Sequence, residues 1–152
     1  MTDPTKPFLT YKLDLAKTVA TKAADPYYQK SVGLRVRELR VLRLVHDFPG
    51  IAATDLGQKI VLDKTLLSKN IAHLEERGLI QRLPDRRDSR RQCLHLTDEG
   101  LRIWKESERI GRRLEDEMFA EISDDDWQRL HALLDRVLSS FEHWKARQPI
   151  DD

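Results

Sequence analysis

The sequence predicts a mainly α-helical fold with one small β-hairpin. Over most of the chain, apolar residues recur three and four positions apart, which is the period of helices that bury one face. Two short runs, Leu79–Leu83 and Gln92–Leu96, are instead typical of strands. Charged residues make up 35% of the 152-residue chain, and its apolar runs fall far short of a membrane span. We therefore expect one domain over residues 1–152 in a soluble protein.

Pro7 is placed to open a first helix, because proline at the first position of a helix loses no needed hydrogen bond. One of its faces is apolar and carries Phe8, Tyr11, Leu15 and Val19. Asp25-Pro26 is expected to end it near residue 24, since the residue before a proline avoids the helical conformation. The second predicted helix, Leu34–His46, has an inward face made of Leu34, Glu38, Val41, Leu42 and Val45. It ends before the turn at Pro49-Gly50.

Two shorter helices precede the strands. One is expected from about Ala52 to Lys59. Asp63 is placed to cap the next, and the inward face of that helix holds Leu67, Ile71 and Leu74. Gly78 ends it, as glycine does where the backbone needs a positive φ. The two strands follow, joined by a polar loop over residues 84–91.

Two long helices complete the chain. Thr97 is expected to cap the first, with Asp98 and Glu99 in a first turn whose dipole favours acidic side chains. Its apolar face is expected to hold Leu101, Trp104, Ile110, Leu114 and Met118. Ser123 is expected to cap the second, which runs to about Lys145 and carries Trp127, Leu130, Leu134, Val137, Leu138 and Phe141.

The order of the middle elements indicates a winged helix-turn-helix over residues 34–97, an arrangement that reads duplex DNA. The helix after Asp63 has an outward face suited to phosphates and base edges, with Lys64, Thr65, Ser68, Lys69 and His73. The loop between the strands, the wing, carries four arginines suited to a narrow minor groove, namely Arg86, Arg87, Arg90 and Arg91. Asp88 is expected to structure the wing, either by accepting hydrogen bonds from its backbone or by holding Arg90 extended.

Charge is unevenly distributed, although the formal net charge is only +1. Residues 58–91 carry nine basic and five acidic side chains, whereas residues 98–152 carry nine basic and fifteen acidic ones. We call the winged helix-turn-helix over residues 34–97 the reader. A basic reader beside an acidic C-terminal third fits a protein that presents one face to phosphates. The helices at 8–24 and 98–145 have apolar faces that a helix-turn-helix alone cannot cover. We expect them to pair with a second copy, and a two-fold homodimer matches a palindromic site.

Four segments in order carry a resemblance to a known family: Gly33-Leu34 through Leu42, Leu74-Glu-Glu-Arg-Gly-Leu-Ile80, Asp88-Ser-Arg90 and Leu96-Thr-Asp-Glu-Gly100. Together they resemble the multiple-antibiotic-resistance regulator (MarR) family of winged-helix transcription factors. The resemblance covers roughly residues 8 to 141. Two positions differ. Leu66 stands where the family usually has a small hydroxyl residue, and Arg35 stands where it often has a helix-capping threonine.

The resemblance implies a function as well as a fold. It implies a DNA-binding regulator, by default a repressor, that is relieved by a small effector, often a phenolic or aromatic acid. Arg90 is then the residue that enters the minor groove, with Arg86 or Arg87 on phosphate. The effector would lie between the dimer helices and the reader. Candidate lining residues combine aromatic rings with a cation: Tyr11, Tyr28, Arg40, His46 and Trp104.

Other interpretations have less support from the residues. Cys93, the single cysteine, keeps a redox-responsive regulator open, although a reactive thiol needs a lowered pKa. A winged-helix module that binds proteins instead of DNA is a second alternative. The histidines lack the close spacing of a metal site, and no catalytic or phosphate-binding motif stands out. We therefore expect no metal, no cofactor and no enzyme activity. A lone cysteine and the lack of a leader sequence favour the cytoplasm.

Overall fold

The computed structural model describes residues 7–59, 63–85 and 87–147. It confirms a mainly α-helical fold with a small antiparallel sheet. The elements in chain order are α1 (Leu9–Val32), α2 (Val36–Asp47), β1 (Ile51–Ala52), α3 (Ala53–Lys59), α4 (Lys64–Glu76), β2 (Ile80–Pro84), β3 (Gln92–Leu96), α5 (Asp98–Met118) and α6 (Asp124–Arg147). The chain divides into two compact units, Met1–Leu114 and Glu115–Asp152. Over the described ranges, no helix is both long and apolar enough to cross a membrane.

Helix α1 is longer than the sequence predicted. Pro26 lies inside it, so the prediction that Asp25-Pro26 ends the helix was wrong. Proline removes one helical hydrogen bond, but the turns beyond it bury Val32 in the core. The Asp25 carboxylate also accepts the backbone N–H of Val36 at 2.7 Å, which ties this turn to the start of α2. The helix ends at Gly33, whose φ of +69° is a left-handed conformation that favours glycine.

The first unit has one hydrophobic core, built mainly from α2, α4 and the hairpin. Helix α2 buries the predicted residues Glu38, Val41, Leu42 and Val45. Helix α4 buries Leu67, Ile71 and Leu74, with Asn70 beside them. Both predicted inward faces are therefore confirmed. Leu79 and Leu94 of the hairpin belong to the same cluster. Helix α4 and the wing strands therefore pack against one common core.

The sheet has a third strand that the sequence analysis did not predict. β1 pairs with β3 through Ile51 opposite Leu94 and Ala52 opposite Cys93, and the strand order is β1-β3-β2. The two predicted strands are antiparallel neighbours, and their register places Ile80 opposite Leu96. β1 is only two residues long, which is too short to show a strand period. It anchors the start of α3 to the hairpin that carries the wing.

The junction between β3 and α5 is closely packed. The Thr97 hydroxyl donates to the carbonyl of Gly78 at 2.6 Å and accepts the backbone N–H of Gly100 at 3.0 Å, so Thr97 caps α5 as predicted. Gly100 lies directly against the backbone of Leu79. A Cβ atom added at Gly100 would stand 1.9 Å from the Leu79 carbonyl oxygen. Only glycine therefore fits at the end of the Leu-Thr-Asp-Glu-Gly segment.

Helix α5 buries a different face from the predicted one. Its buried positions are Gly100, Ile103, Ser107, Ile110 and Leu114. Ile110 and Leu114 were predicted, but Leu101 and Met118 are each 36% exposed and Trp104 is half-buried. The observed face includes the small residues Gly100 and Ser107, which a search for large apolar side chains overlooks.

The second unit consists of the end of α5, a short connection and α6. Ser123 caps α6 as predicted, since its hydroxyl accepts the backbone N–H of Asp126 at 3.3 Å. The rings of Phe119 and Trp127 lie 4.9 Å apart. No residue of α6 in the described part of the chain is buried, and large apolar side chains remain exposed along it: Leu130, Leu133, Leu138, Phe141 and Trp144.

Candidate nucleic-acid interface

Helix α4 is held firmly at both ends. The Asp63 carboxylate accepts the backbone N–H groups of Thr65 at 2.9 Å and Leu66 at 3.2 Å, so the predicted N-cap is confirmed. At the other end Gly78 has a φ of +68°, and the backbone N–H of Leu79 donates to the carbonyl of Leu74 at 2.9 Å. This is the hydrogen bond of a glycine-terminated helix. The helix is thus a fixed support for its outward side chains.

The outward face of α4 is mostly free to meet a ligand. The expected residues Lys64, Thr65, Ser68 and Lys69 are exposed, whereas Leu66 is half-buried. His73 differs from the others. Its Nδ1 lies 2.5 Å from Oε1 of Glu38, a carboxylate in the core of the first unit. Only the Nε2 atom of His73 is left for any contact with DNA.

Two aspartates organise the backbone of the wing. Asp85 accepts the N–H groups of Arg87 at 2.7 Å and Asp88 at 3.2 Å. Asp88 in turn accepts the N–H of Arg90 at 3.0 Å through its side chain and that of Arg91 at 2.9 Å through its carbonyl. These backbone donors lower the pKa of the Asp85 carboxyl below its usual value. Sequence reasoning missed Asp85, although an aspartate two residues before an N–H donor is a common turn signal.

The wing arginines fall into two groups. Within the described ranges, the side chains of Arg87 and Arg90 make no ion pair or hydrogen bond and project from the braced loop. Arg91 is instead paired with Asp55 of α3, a partner that sequence reasoning also missed. Arg86 lies outside the described residues. The surface of α4 and the wing therefore presents cations and hydroxyl groups on a backbone that is fixed by carboxylates beneath it.

The five residues expected to bind an effector do not form one site within the chain. The rings of His46 and Trp104 stack 3.5 Å apart at an angle of 9°, and both Tyr28 and Trp104 pack against the core. Tyr11 is 60% exposed and lies about 25 Å from Tyr28 along α1, at 1.5 Å per residue. Arg40 is exposed on α2. The structure therefore brings together His46 and Trp104, with Tyr28 on the same core.

The chain also has a shallow cavity that the sequence analysis did not predict. Its volume is about 290 Å³, and it lies in the second unit between Glu115, Asp116, Phe119, Ala120, Ile122, Asp124 and Trp127. None of the five expected effector residues lines it.

Cys93 is a poor candidate for a redox sensor. It is 5% exposed in β3, and its thiol donates to Oδ2 of Asp85 at 3.5 Å. Burial, and then this hydrogen bond, raise the pKa of the thiol above its ordinary value, which disfavours the reactive thiolate. In the described part of the chain, no three His, Cys, Asp or Glu residues are grouped to hold a metal ion.

Comparison with known proteins agrees with this geometry. Residues 32–91 match the model of the MarR family. The chain is 30% identical over 100 residues to the transcriptional regulator HosA of Escherichia coli O111:H-, an alignment that covers 66% of this chain and 74% of HosA.

Solved structures show the same fold. A crystal structure of MarR has a TM-score of 0.81 at 22% identity and covers 97% of this chain and 99% of that one. The PcaV transcriptional regulator from Streptomyces coelicolor, in complex with its natural ligand, has a TM-score of 0.67 at 25% identity and covers 86% and 89%. A MepR–DNA complex from S. aureus has a TM-score of 0.72 at 20% identity and covers 88% and 96%. The chain therefore belongs to the MarR family of transcriptional regulators, with that family's DNA-binding winged-helix fold.

Proposed function

We propose that the protein is a homodimeric repressor that binds a palindromic promoter site and is released by a small aromatic effector. The observation that carries this proposal is the basic surface of α4 and the wing, whose backbone is braced before any ligand arrives. A preformed surface avoids the entropy cost of ordering loops on binding. The unpaired cations on it are suited to phosphates and to the edges of bases.

In the proposed complex, α4 enters the major groove. Lys64 and Thr65 are in the first turn of the helix, where the helix dipole also favours phosphate. Ser68 and Lys69 lie one turn further on and can reach bases, with Lys69 suited to the acceptors of guanine. The half-buried Leu66 stands between them and is suited to an apolar contact, such as the methyl group of thymine.

The wing is proposed to enter the adjacent minor groove through Arg90. A narrow minor groove has an enhanced negative potential that attracts a guanidinium group, and Arg90 is held at the tip by Asp88. Arg86 and Arg87 are assigned to the neighbouring phosphates. Arg91 adds positive charge from a fixed position, because its pair with Asp55 holds it against α3.

A second copy of the chain is proposed to cover the apolar faces of α1 and α6. Side chains at the start of α1 are largely exposed, among them Phe8 at 80% and Tyr11 at 60%. Helix α6 exposes a comparable row that includes Leu138 at 63%. Exposed apolar faces of this length favour burial against a partner, and a two-fold dimer presents two readers to the two halves of a palindrome.

The effector is proposed to bind at the stacked rings of His46 and Trp104. In the dimer, Tyr28, Arg40 and Tyr11 are proposed to line the same site. Within the described residues, Nε1 of Trp104 is buried and has no hydrogen-bond acceptor. An unpaired buried donor is costly, so a ligand that brings a carboxylate or phenolate oxygen gains a contact there. The effector releases the operator only by its higher affinity for the conformation that does not bind DNA.

The proposal is tested with Arg90→Ala on duplexes selected from random DNA by the parent protein. The loss of a minor-groove contact should weaken operator binding by at least ~1 kcal/mol, about a fivefold rise in Kd, and reduce the salt slope by about one. Arg129→Ala is the matched control, because Arg129 is an exposed arginine on α6, outside α4 and the wing. At a protein concentration where both variants are fully dimeric, it should bind as the parent does. Equal operator affinities for Arg90→Ala and the parent would show that Arg90 of the wing does not contact the operator.

A further inference from the structure

Helix α4 and its C-cap residue contact the junction between α1 and α2 at two points. At the first point, Nη1 and Nη2 of Arg77 donate to the carbonyls of Gly33 at 2.8 Å and Val32 at 3.2 Å. At the second point, Nδ1 of His73 lies 2.5 Å from Oε1 of Glu38. The other carboxylate oxygen of Glu38 accepts the backbone N–H of Arg35 at 2.7 Å. One face of α4 is thus bound to the last residues of α1 and the first turn of α2.

Both contacts satisfy groups that would otherwise be left without partners. The last carbonyls of a helix receive no hydrogen bond from an N–H group within the helix. The negative end of the helix dipole, which lies at the same place, attracts a cation. The guanidinium of Arg77 supplies both the donors and the charge for α1. The Glu38 side chain is only 8% exposed, and a buried carboxylate requires hydrogen-bond donors, which His73 and the Arg35 backbone supply.

The spacing of the two side chains makes them act together. His73 and Arg77 are four residues apart, so they lie on one face of α4 and its C-terminal cap. Two separated contacts on one face restrict rotation of the helix about its axis as well as its translation. These two contacts therefore also fix the direction in which the outward residues of α4, such as Lys69, face.

We propose that His73 and Arg77 are positioning residues, which set the orientation of α4 for DNA reading without touching DNA. The inference rests on the proposed function and changes one assignment within it, because His73 is moved from the DNA-contact face to this clamp. We define the clamp as His73, Arg77, Glu38 and the carbonyls of Val32 and Gly33. Because α1 is also the proposed dimerisation helix, the clamp links the dimer geometry to the reader.

The decisive experiment is a double-mutant cycle between His73→Ala and Glu38→Gln, read out as affinity for the selected operator. If the clamp orients α4, each single change should raise Kd at least fivefold, and the double variant should be no weaker than the weaker single one. If His73 instead contacted DNA directly, Glu38→Gln would leave the affinity unchanged or the two effects would add. Either result would overturn the assignment of His73.

Two further variants separate positioning from a loss of folding. His73→Asn places an amide N–H near the Nδ1 position and should restore most of the operator affinity that His73→Ala loses. Arg77→Met removes the donors to α1 while keeping the length of the side chain, and it should weaken operator binding at least fivefold. Arg77→Lys should recover part of that loss. The circular dichroism spectrum and thermal midpoint of each variant identify any that does not fold.

Affinity for a second duplex, one without the operator sequence, distinguishes positioning from a general structural role. A variant with a damaged structure should lose affinity for both duplexes. At low salt, non-specific binding depends on phosphate attraction and needs little orientation, so the clamp variants should keep parental affinity for it. Lys69→Ala, a proposed contact residue, should weaken both complexes. Parental operator affinity in Arg77→Met and Glu38→Gln would overturn the clamp. Failure of the parent to bind any duplex would instead overturn the proposed function.

Discussion

Replacing Gly100 by alanine tests the packing that joins the reader to α5. The new Cβ would stand 1.9 Å from the carbonyl oxygen of Leu79, whereas real Cβ atoms essentially never come closer than 3.0 Å. The obstructing atom is backbone, so no flexible side chain can move aside. The same carbonyl accepts the backbone N–H of Thr97 at 3.1 Å, and any shift that relieves the clash strains this hydrogen bond.

The expected cost can be estimated from these contacts. Overpacking in a core costs about 1–3 kcal/mol, and a weakened backbone hydrogen bond adds roughly 1 kcal/mol. Alanine recovers at most about 1 kcal/mol through its higher helix propensity. We expect Gly100→Ala to lower the free energy of unfolding by about 2–3 kcal/mol. For a chain of this length that corresponds to a fall in Tm of roughly 4–12 °C.

Urea unfolding followed by circular dichroism measures this difference, with all variants at one protomer concentration because a dimer's stability depends on it. Gly57→Ala is the matched control. Gly57 lies in α3, and its added Cβ would stand 3.5 Å from the Leu67 side chain of α4, an ordinary van der Waals contact. Stability should therefore stay the same or rise by up to about 1 kcal/mol. Parental stability in Gly100→Ala, or an equal loss in Gly57→Ala, would refute the close packing of α5 on Leu79.

Three other predictions follow from single residues. The lowered pKa of Asp85 means that its ionised form stabilises the folded wing at pH values above its ordinary pKa of 3.8, and that this contribution is lost as the pH falls through the folded-state value. Asp85→Asn should therefore be less stable than the parent at pH 7, with a gap that narrows near pH 3; a gap independent of pH would contradict the hydrogen-bond network. Because its pKa is raised, Cys93 should react with iodoacetamide much more slowly in the native protein at pH 7.5 than in the urea-unfolded chain, and equal rates would reopen redox sensing. Leu94→Ala removes a side chain that is fully buried and should cost about 2–5 kcal/mol by urea unfolding, whereas a loss below about 1 kcal/mol would show that the core is not as described.

Much of the fold could be predicted because its signals are local. Helix starts at Asp63, Thr97 and Ser123 depend on residues within one turn of the cap, and the structure places a helix after each. The helix stop at Gly78 is equally local. Local rules fail where tertiary packing outweighs them. Pro26 should end a helix, yet burial of the turns beyond it keeps α1 continuous.

The contacts that brace the candidate site could not be predicted in the same way. Glu38 and His73 are 35 residues apart in sequence, and Arg77 is 44 residues from Gly33. Neither pair has a sequence pattern, because each depends on how α4 packs against the junction of α1 and α2. The sequence shows that α4 has a polar face, but it does not show which of those polar side chains contact other parts of the protein. His73 was assigned to the outward face for this reason.

The pair of Arg91 and Asp55 has the same origin. Asp55 lies in α3, and the two-residue strand β1 brings α3 to the hairpin that carries the wing. A count of arginines in the wing gives four equivalent cations. Within the described ranges the structure separates Arg90, whose side chain has no partner, from Arg91, which is paired with Asp55. Charge patterning therefore indicates where the candidate interface lies but overstates the number of unpaired cations on it.

The central claim is that the surface of α4 and the wing binds duplex DNA through phosphates. The most direct test is the Kd for a selected duplex, measured between about 50 and 200 mM salt. Each phosphate contact releases counterions, so log Kd should rise linearly with log salt, with a slope that reflects several contacts per protomer. Absence of duplex binding at the lowest salt, or an affinity that does not change with salt, would contradict the account.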